Sequence, residues 1–198
     1  MSMPESGDTD TITLRAKAPV GRLAVRWLAA LMLACFALAS TGIADTASAQ
    51  TVKTGPSGLP LPRFVSLKSD RINVRRGPGR DHEVVWIFVR AGLPVEVVQE
   101  FENWRRIRDA DGEEGWVFHS LLSGRRTALV APWEKDGEPE SVHGEPESQS
   151  PVSAFVKPGV LANVHECTGT WCRIGGEGWA GWIDQTRLWG VYPQETVE

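Results

Sequence analysis

The sequence predicts an all-β protein built from two tandem small barrels. Three observations carry this. The first is an internal repeat: Val85 to Ile107 lies over Val152 to Ile174 without a gap, at a constant offset of 67 positions. Identical pairs on that register are Phe88/Phe155, Val89/Val156, Gly92/Gly159, Val97/Val164, Trp104/Trp171, Arg106/Arg173 and Ile107/Ile174. One residue is then lost and the match resumes at 66, with Gly115-Trp116-Val117 over Gly181-Trp182-Ile183, Leu122 over Leu188 and Gly124 over Gly190. A period this long, carrying strand-forming residues, is one small β module used twice. The second observation is rhythm: short β-prone runs separated by turn residues about every 8–12 positions. The third is that no stretch after residue 50 sustains a helical apolar period.

The chain opens on a different kind of segment. Arg15, Lys17, Arg22 and Arg26 precede an apolar run from Trp27 to Ala39, and Ala47-Ser48-Ala49 follows. Basic, apolar, then small is the order of a secretory signal. The run falls short of the roughly 20 residues that span a bilayer. Residues 1–49 are therefore expected to be a cleaved signal peptide, with no membrane span after cleavage; an uncleaved anchor is the alternative. Residues 50–62, with Gly55-Pro56-Ser57-Gly58 and Pro60-Leu61-Pro62, read as a flexible linker.

The first module is expected over 63–126. Phe64-Val65-Ser66-Leu67 and Ile72-Asn73-Val74-Arg75 read as strands, and Gly77-Pro78-Gly79 as a turn. Val84 to Val89 is strongly β-prone. Pro94 to Glu100 alternates, with Val95 and Val97 on one face. Asn103 to Ile107 and Gly115-Trp116-Val117 complete the set, joined by the turn Asp109-Ala110-Asp111-Gly112. Residues 127–150 read as a connector; its Ala128-Leu129-Val130 is apolar enough for a strand that closes the first barrel or joins the two. The body of the second module is expected over 151–193, its first strand within 138–150 and irregular.

Charge excludes one class of partner. The chain has 21 Lys and Arg against 25 Asp and Glu, for a net charge of −4. Residues 63–126 balance at +2 and residues 127–198 at −7. No strong basic field exists for nucleic acid.

Three cysteines are present, and Cys35 falls within the signal. Cys167 and Cys172 remain, an even pair flanking a hairpin tip in an exported chain, which points to a disulfide. A redox-active dithiol is the alternative, although the spacing is not C-x-x-C. The histidines His82, His119, His143 and His165 show no ligand spacing. No cofactor, metal or catalytic residue is expected.

Tryptophan is the unusual component, with nine in the chain. The repeated pairs Trp104/Trp171 and Trp116/Trp182 suit barrel cores, since a small module has little area to bury. Trp86 is not repeated, and partly exposed tryptophan beside arginine makes an anchor for sugars or peptides. Arg75 and Arg76 flank the Gly77-Pro78-Gly79 turn and suit carboxylates, or else pair locally with Asp81 and Glu83. The candidate ligand-binding residues are Arg75, Arg76, Trp86 and Trp104. Arg125-Arg126 stands ready to pair with the acidic second module.

Several runs together resemble the bacterial SH3-like (SH3b) family, in its exported two-module form from alphaproteobacteria. They are Arg71 to Pro78, Val84-Val85-Trp86, Phe101 to Arg106, Glu114 to Val117, Ser120 to Trp133, Cys167 to Ile174 and Arg187 to Pro193. The resemblance implies two SH3-like barrels. It also implies a non-enzymatic binding protein of the periplasm or cell envelope, with peptidoglycan or an envelope protein as partner. A structural adaptor for an envelope complex is the alternative function. The proline-peptide groove of eukaryotic relatives depends on tyrosines, and this chain has only Tyr192.

Overall fold

The computed structural model of the protein describes residues 53–198. The signal read in residues 1–49 lies outside the described residues. Every regular element that follows is a strand or a single turn of 3-10 helix.

A short hairpin comes first, β1 (Lys53–Thr54) and β2 (Pro60–Leu61). The first sheet then uses β3 (Arg63–Leu67), β4 (Ile72–Arg75), β5 (Val84–Phe88), β6 (Pro94–Phe101), β7 (Trp104–Arg108), β8 (Glu114–Phe118) and β9 (Leu122–Ser123). The second uses β10 (Thr127–Val130), β11 (Glu140–His143), β12 (Val152–Val156), β13 (Leu161–Thr168), β14 (Trp171–Gly176), β15 (Trp179–Asp184) and β16 (Leu188–Trp189). A last strand, β17 (Thr196–Val197), pairs with β13. The hydrogen-bonded orders are β5-β4-β8-β7-β6-β3-β9 and β12-β11-β15-β14-β13-β10-β16, the same path twice. The chain is all-β, with two tandem small barrels.

Each barrel closes on aliphatic side chains from alternate strand positions. Leu67, Ile72, Val74, Val95, Val97, Ile107 and Val117 fill the first. Val130, Val142, Val156, Val164, Ile174, Ile183 and Leu188 fill the second, with the disulfide Cys167–Cys172 inside the same cluster. That bond joins directly opposed residues of β13 and β14. The repeated Gly-Trp motif has a steric origin. A Cβ on Gly115 would collide with Val74 and lie 3.0 Å from Trp86, and one on Gly181 would collide with Val142 and the His143 carbonyl. Strand β8 can cross the barrel that closely only without a side chain at this point.

Two sequence expectations are corrected. Residues 127–130 are not a connector strand: β10 pairs with β13 and β16 as β3 pairs with β6 and β9, so it opens the second barrel. Residues 50–62 are not simply a tether. From Lys53 they form a hairpin whose Ser57 donates through N (2.9 Å) and Oγ (2.7 Å) to the carboxylate of Glu100. Arg63 (2.8 Å) and Arg105 (3.1 Å) grip the same group, which has no solvent exposure. Burial alone would raise the Glu100 pKa, but these donors outweigh it and hold the carboxyl down at about 2.

The C-terminal segment is tied down as well. Arg126 holds Glu195 through two bonds of 2.6 and 3.0 Å, and the Tyr192 N–H donates to the same carboxylate. Burial opposes ionisation of Glu195, yet these donors keep its pKa below the usual range. Gln185 Nε2 donates to the carbonyls of Tyr192 and Glu195.

The barrels touch through a small mixed interface. Phe64 of β3 meets Trp189 edge-on at 5.1 Å and Tyr192 at 4.7 Å. The Tyr192 hydroxyl donates to Glu96 (2.9 Å), and Thr127 Oγ1 donates to the Gly92 carbonyl (2.7 Å). Burial, then the neighbouring Glu96 carboxylate, raises the Tyr192 pKa strongly.

Candidate functional site

The first barrel carries a surface pocket of about 550 Å³ where β4, β7 and β8 meet. Its wall is aromatic. Trp104 lies directly across the β7–β8 ladder from Phe118, and the two rings meet edge-on at 5.5 Å. Trp104 is 9% exposed, so the barrel holds it rigidly while the pocket opens beside it. Three arginines surround this wall: Arg71 before β4, Arg75 at its end and Arg80 in the following loop. Arg75 Nη1 donates to the His82 carbonyl at 2.6 Å, which steers its guanidinium. Among the described residues no carboxylate lies within ion-pair distance of any of the three. Asn73 and Ser120 add neutral polar groups.

Three forked cations beside an indole form a site for an anion attached to a flat or apolar body. Guanidinium groups match carboxylates two bonds at a time. The aromatic wall contributes stacking area with little entropy loss.

The sequence-derived candidates divide. Arg75 and Trp104 come together in this pocket. Arg76, the next residue, extends instead to Glu83 at 3.1 Å, with both side chains about 70% exposed. Trp86 lies elsewhere. It shares the inner face of β5 with Phe88, the two rings 6.1 Å apart, and packs on the first core. Its Nε1 is buried without a partner. Arg71, Arg80 and Phe118 join the site although sequence reasoning did not select them. The arginines sit in loops, where no strand period marks orientation. For Phe118 a signal existed: it lies two positions beyond the repeated Trp116, at a place where the second module has Asp184.

The second barrel repeats the scaffold without the chemistry. His143 pairs with Trp182 as Arg75 pairs with Trp116, and Trp171 lies opposite Asp184 as Trp104 lies opposite Phe118. His143 and Trp171 meet edge-on at 5.6 Å. A carboxylate therefore replaces the aromatic partner. Arg187, at the place of Leu121, is held by Glu140 and Glu134 (2.7 Å), and these bonds raise its pKa further.

Two small barrels in series, one with a cationic and aromatic surface pocket, define a class of tandem β-barrel scaffold. The family model described as bacterial SH3 domain matches residues 68–124 and 138–190, more than half of the chain. The protein belongs to that family. No curated protein sequence matches the chain. Among solved structures, NlpC2 from Trichomonas vaginalis is similar at 12% identity and a TM-score of 0.30, over 65% of this chain and 48% of that one. NlpC1 from the same organism gives 12% and 0.30, over 68% and 48%. The chain spans about half the length of those two structures. Among the described residues, no helix is long and apolar enough to cross a membrane.

Proposed function

We propose that this is an exported, non-enzymatic binding protein of the cell envelope, and that its first barrel recognises peptidoglycan. The observation that carries this reading is the Arg71/Arg75/Arg80 cluster beside the Trp104–Phe118 wall. Peptidoglycan joins the two features such a pocket suits. Its stem peptides carry free carboxylates, and its sugar rings offer flat apolar faces for stacking. Members of the bacterial SH3 family often hold cell-wall enzymes on their substrate, which fits a binding role. The signal-like residues 1–49 support placement in the periplasm.

The test is co-sedimentation of residues 50–198 with isolated peptidoglycan, for the wild type and a triple Arg71→Ala, Arg75→Ala, Arg80→Ala variant. These side chains make no ion pair in the fold, and the one bond lost, from Arg75 to the His82 carbonyl, is exposed, so the melting temperature should change little. Loss of sedimentation in the triple variant is the expected result. A wild type that stays in solution, or a triple variant that still sediments, overturns the reading.

A second reading, an adaptor for an envelope protein complex, has one observation in its favour. Strands β5 and β12 end their sheets and expose Val85, Ile87, Val152 and Phe155, with Val89 exposed just beyond β5. Edge strands with apolar outer faces are competent to take up another chain.

A further inference from the structure

A second cavity lies apart from the arginine pocket. It is a groove of about 950 Å³ between the two barrels, lined by residues of both. Its aromatic wall is built from Phe64 of the first barrel with Trp189 and Tyr192 of the second. Its charge has the opposite sign to that of the arginine pocket. Glu96 is already engaged by Arg108 (3.0 Å) and the Tyr192 hydroxyl (2.9 Å), and Arg108 is shared with Glu114 (2.7 Å). Asp111 has only Lys135 at 3.4 Å, with both side chains more than 70% exposed, a contact worth little. Asp109 and Asp184 face the groove from opposite barrels with no ion pair to either among the described residues. Burial, only partly offset by bonds from the Glu113 and Asp111 backbones, raises the Asp109 pKa, as expected of a carboxylate lacking a counter-charge.

Independent of the acidic pair, the lining carries unmatched hydrogen-bonding groups of both kinds. Gln185 is 4% exposed, and its Nε2 is committed to two backbone carbonyls, which leaves Oε1 without a donor. Trp189 Nε1 is a buried donor without an acceptor. Both atoms are closed to solvent, so they are unmatched within the fold and are not contact points for a ligand. A basic polypeptide supplies what the groove surface lacks: cations for the two carboxylates and methylene stems for the aromatic wall.

We propose that the inter-barrel groove binds a basic segment of a partner protein, with Asp109 and Asp184 pairing its Lys or Arg side chains across the Trp189–Tyr192 wall. The volume is at the upper end for ligand sites, enough for a few residues of extended chain. This site is separate from the arginine pocket, and neither depends on the other.

The probe is a labelled hexapeptide of alternating lysine and leucine, followed by fluorescence anisotropy at low salt. The same peptide with glutamate for lysine is the control. The Trp189 indole N–H resonance, assigned with Trp189→Phe, reports location. Binding of the lysine peptide with a shift of that resonance is expected, with no binding of the control. An Asp109→Asn, Asp184→Asn double variant keeps every hydrogen-bond acceptor and so the fold. It should bind about tenfold more weakly. Equal affinity in the double variant, no binding by the wild type, or a shift at Trp104 in place of Trp189 overturns the proposal.

Discussion

Replacing Glu100 by Gln tests whether the N-terminal hairpin is an integral part of the first barrel. The carboxylate is fully buried and receives two bonds from Ser57, one from Arg63 and one from Arg105. Lowering its pKa from 4.5 to about 2 corresponds to roughly 3 kcal/mol at about 1.4 kcal/mol per pH unit. Arg63 and Arg105 keep 17% and 11% exposure, so screening brings the expected loss to about 2 kcal/mol. For a barrel of this size that is a fall of roughly 8–16 °C in melting temperature.

The pH dependence is the sharper part of the test. The folded-state pKa is depressed, so the stabilisation is complete above the unfolded value near 4.5 and is lost as pH falls toward about 2. Thermal melts of wild type and Glu100→Gln, followed by near-ultraviolet circular dichroism, should therefore differ most at neutral pH. The gap should narrow steadily below pH 4.5 and nearly vanish by pH 2. A gap that stays constant across that window would refute the charge-based account. A gap below about 0.5 kcal/mol at neutral pH would show that the hairpin contributes nothing.

Other perturbations test separate parts of the fold. Reducing the Cys167–Cys172 bond, which closes a loop with a sequence separation of 5, should cost about 2 kcal/mol in urea unfolding. Gly115→Ala places a methyl against Val74 and Trp86 and should cost about 1–3 kcal/mol, read as a lower urea midpoint at unchanged slope. Tyr192 is the only tyrosine, so ultraviolet titration reports it alone. Its raised pKa should leave no phenolate signal near pH 10 in the folded protein, and stability should fall as pH rises past the unfolded value of about 10.

The fold was legible because two copies of one barrel amplify each other's signal. Where the copies differ in loop length, the sequence register misleads. Leu67 and Val130 are equivalent by their pairing with Leu122 and Leu188, an offset of 63, so the fixed 67-residue register could not find β10. In β12 the slip is one residue. Val74 pairs with Trp86 and Val142 with Ala154, which makes the structural offset 68. The identical Phe88 and Phe155 are thus not equivalent: Phe88 packs on the first core, while Phe155 is 71% exposed and Val156 takes the inward place. A one-residue slip exchanges the two faces of a strand. The same alternation explains Trp86. It shares a face with Val84 and Phe88, and that face points inward. The disulfide was readable because a hairpin tip places its flanking cysteines opposite each other.

The site was only half legible, because duplication preserves what closes a barrel more than what lines its surface. The glycine that lets β8 cross and the aliphatic residues of the core recur at equivalent pairings in both modules. The surface around the shared tryptophan does not recur. At the Arg75 position the second barrel has His143, and at the Phe118 position it has Asp184. The substituted carboxylate repels the anions that three free arginines attract, and it faces the groove between the barrels, where it adds to Asp109. The charge asymmetry between the modules, +2 against −7, thus acquires a local meaning. On the proposed readings, one barrel keeps a pocket for anions, while the other helps form a groove for cations. A chain whose copies diverge this way should bind two chemically opposite ligands at once. Raising salt should weaken both, because each relies on charges that remain open to solvent.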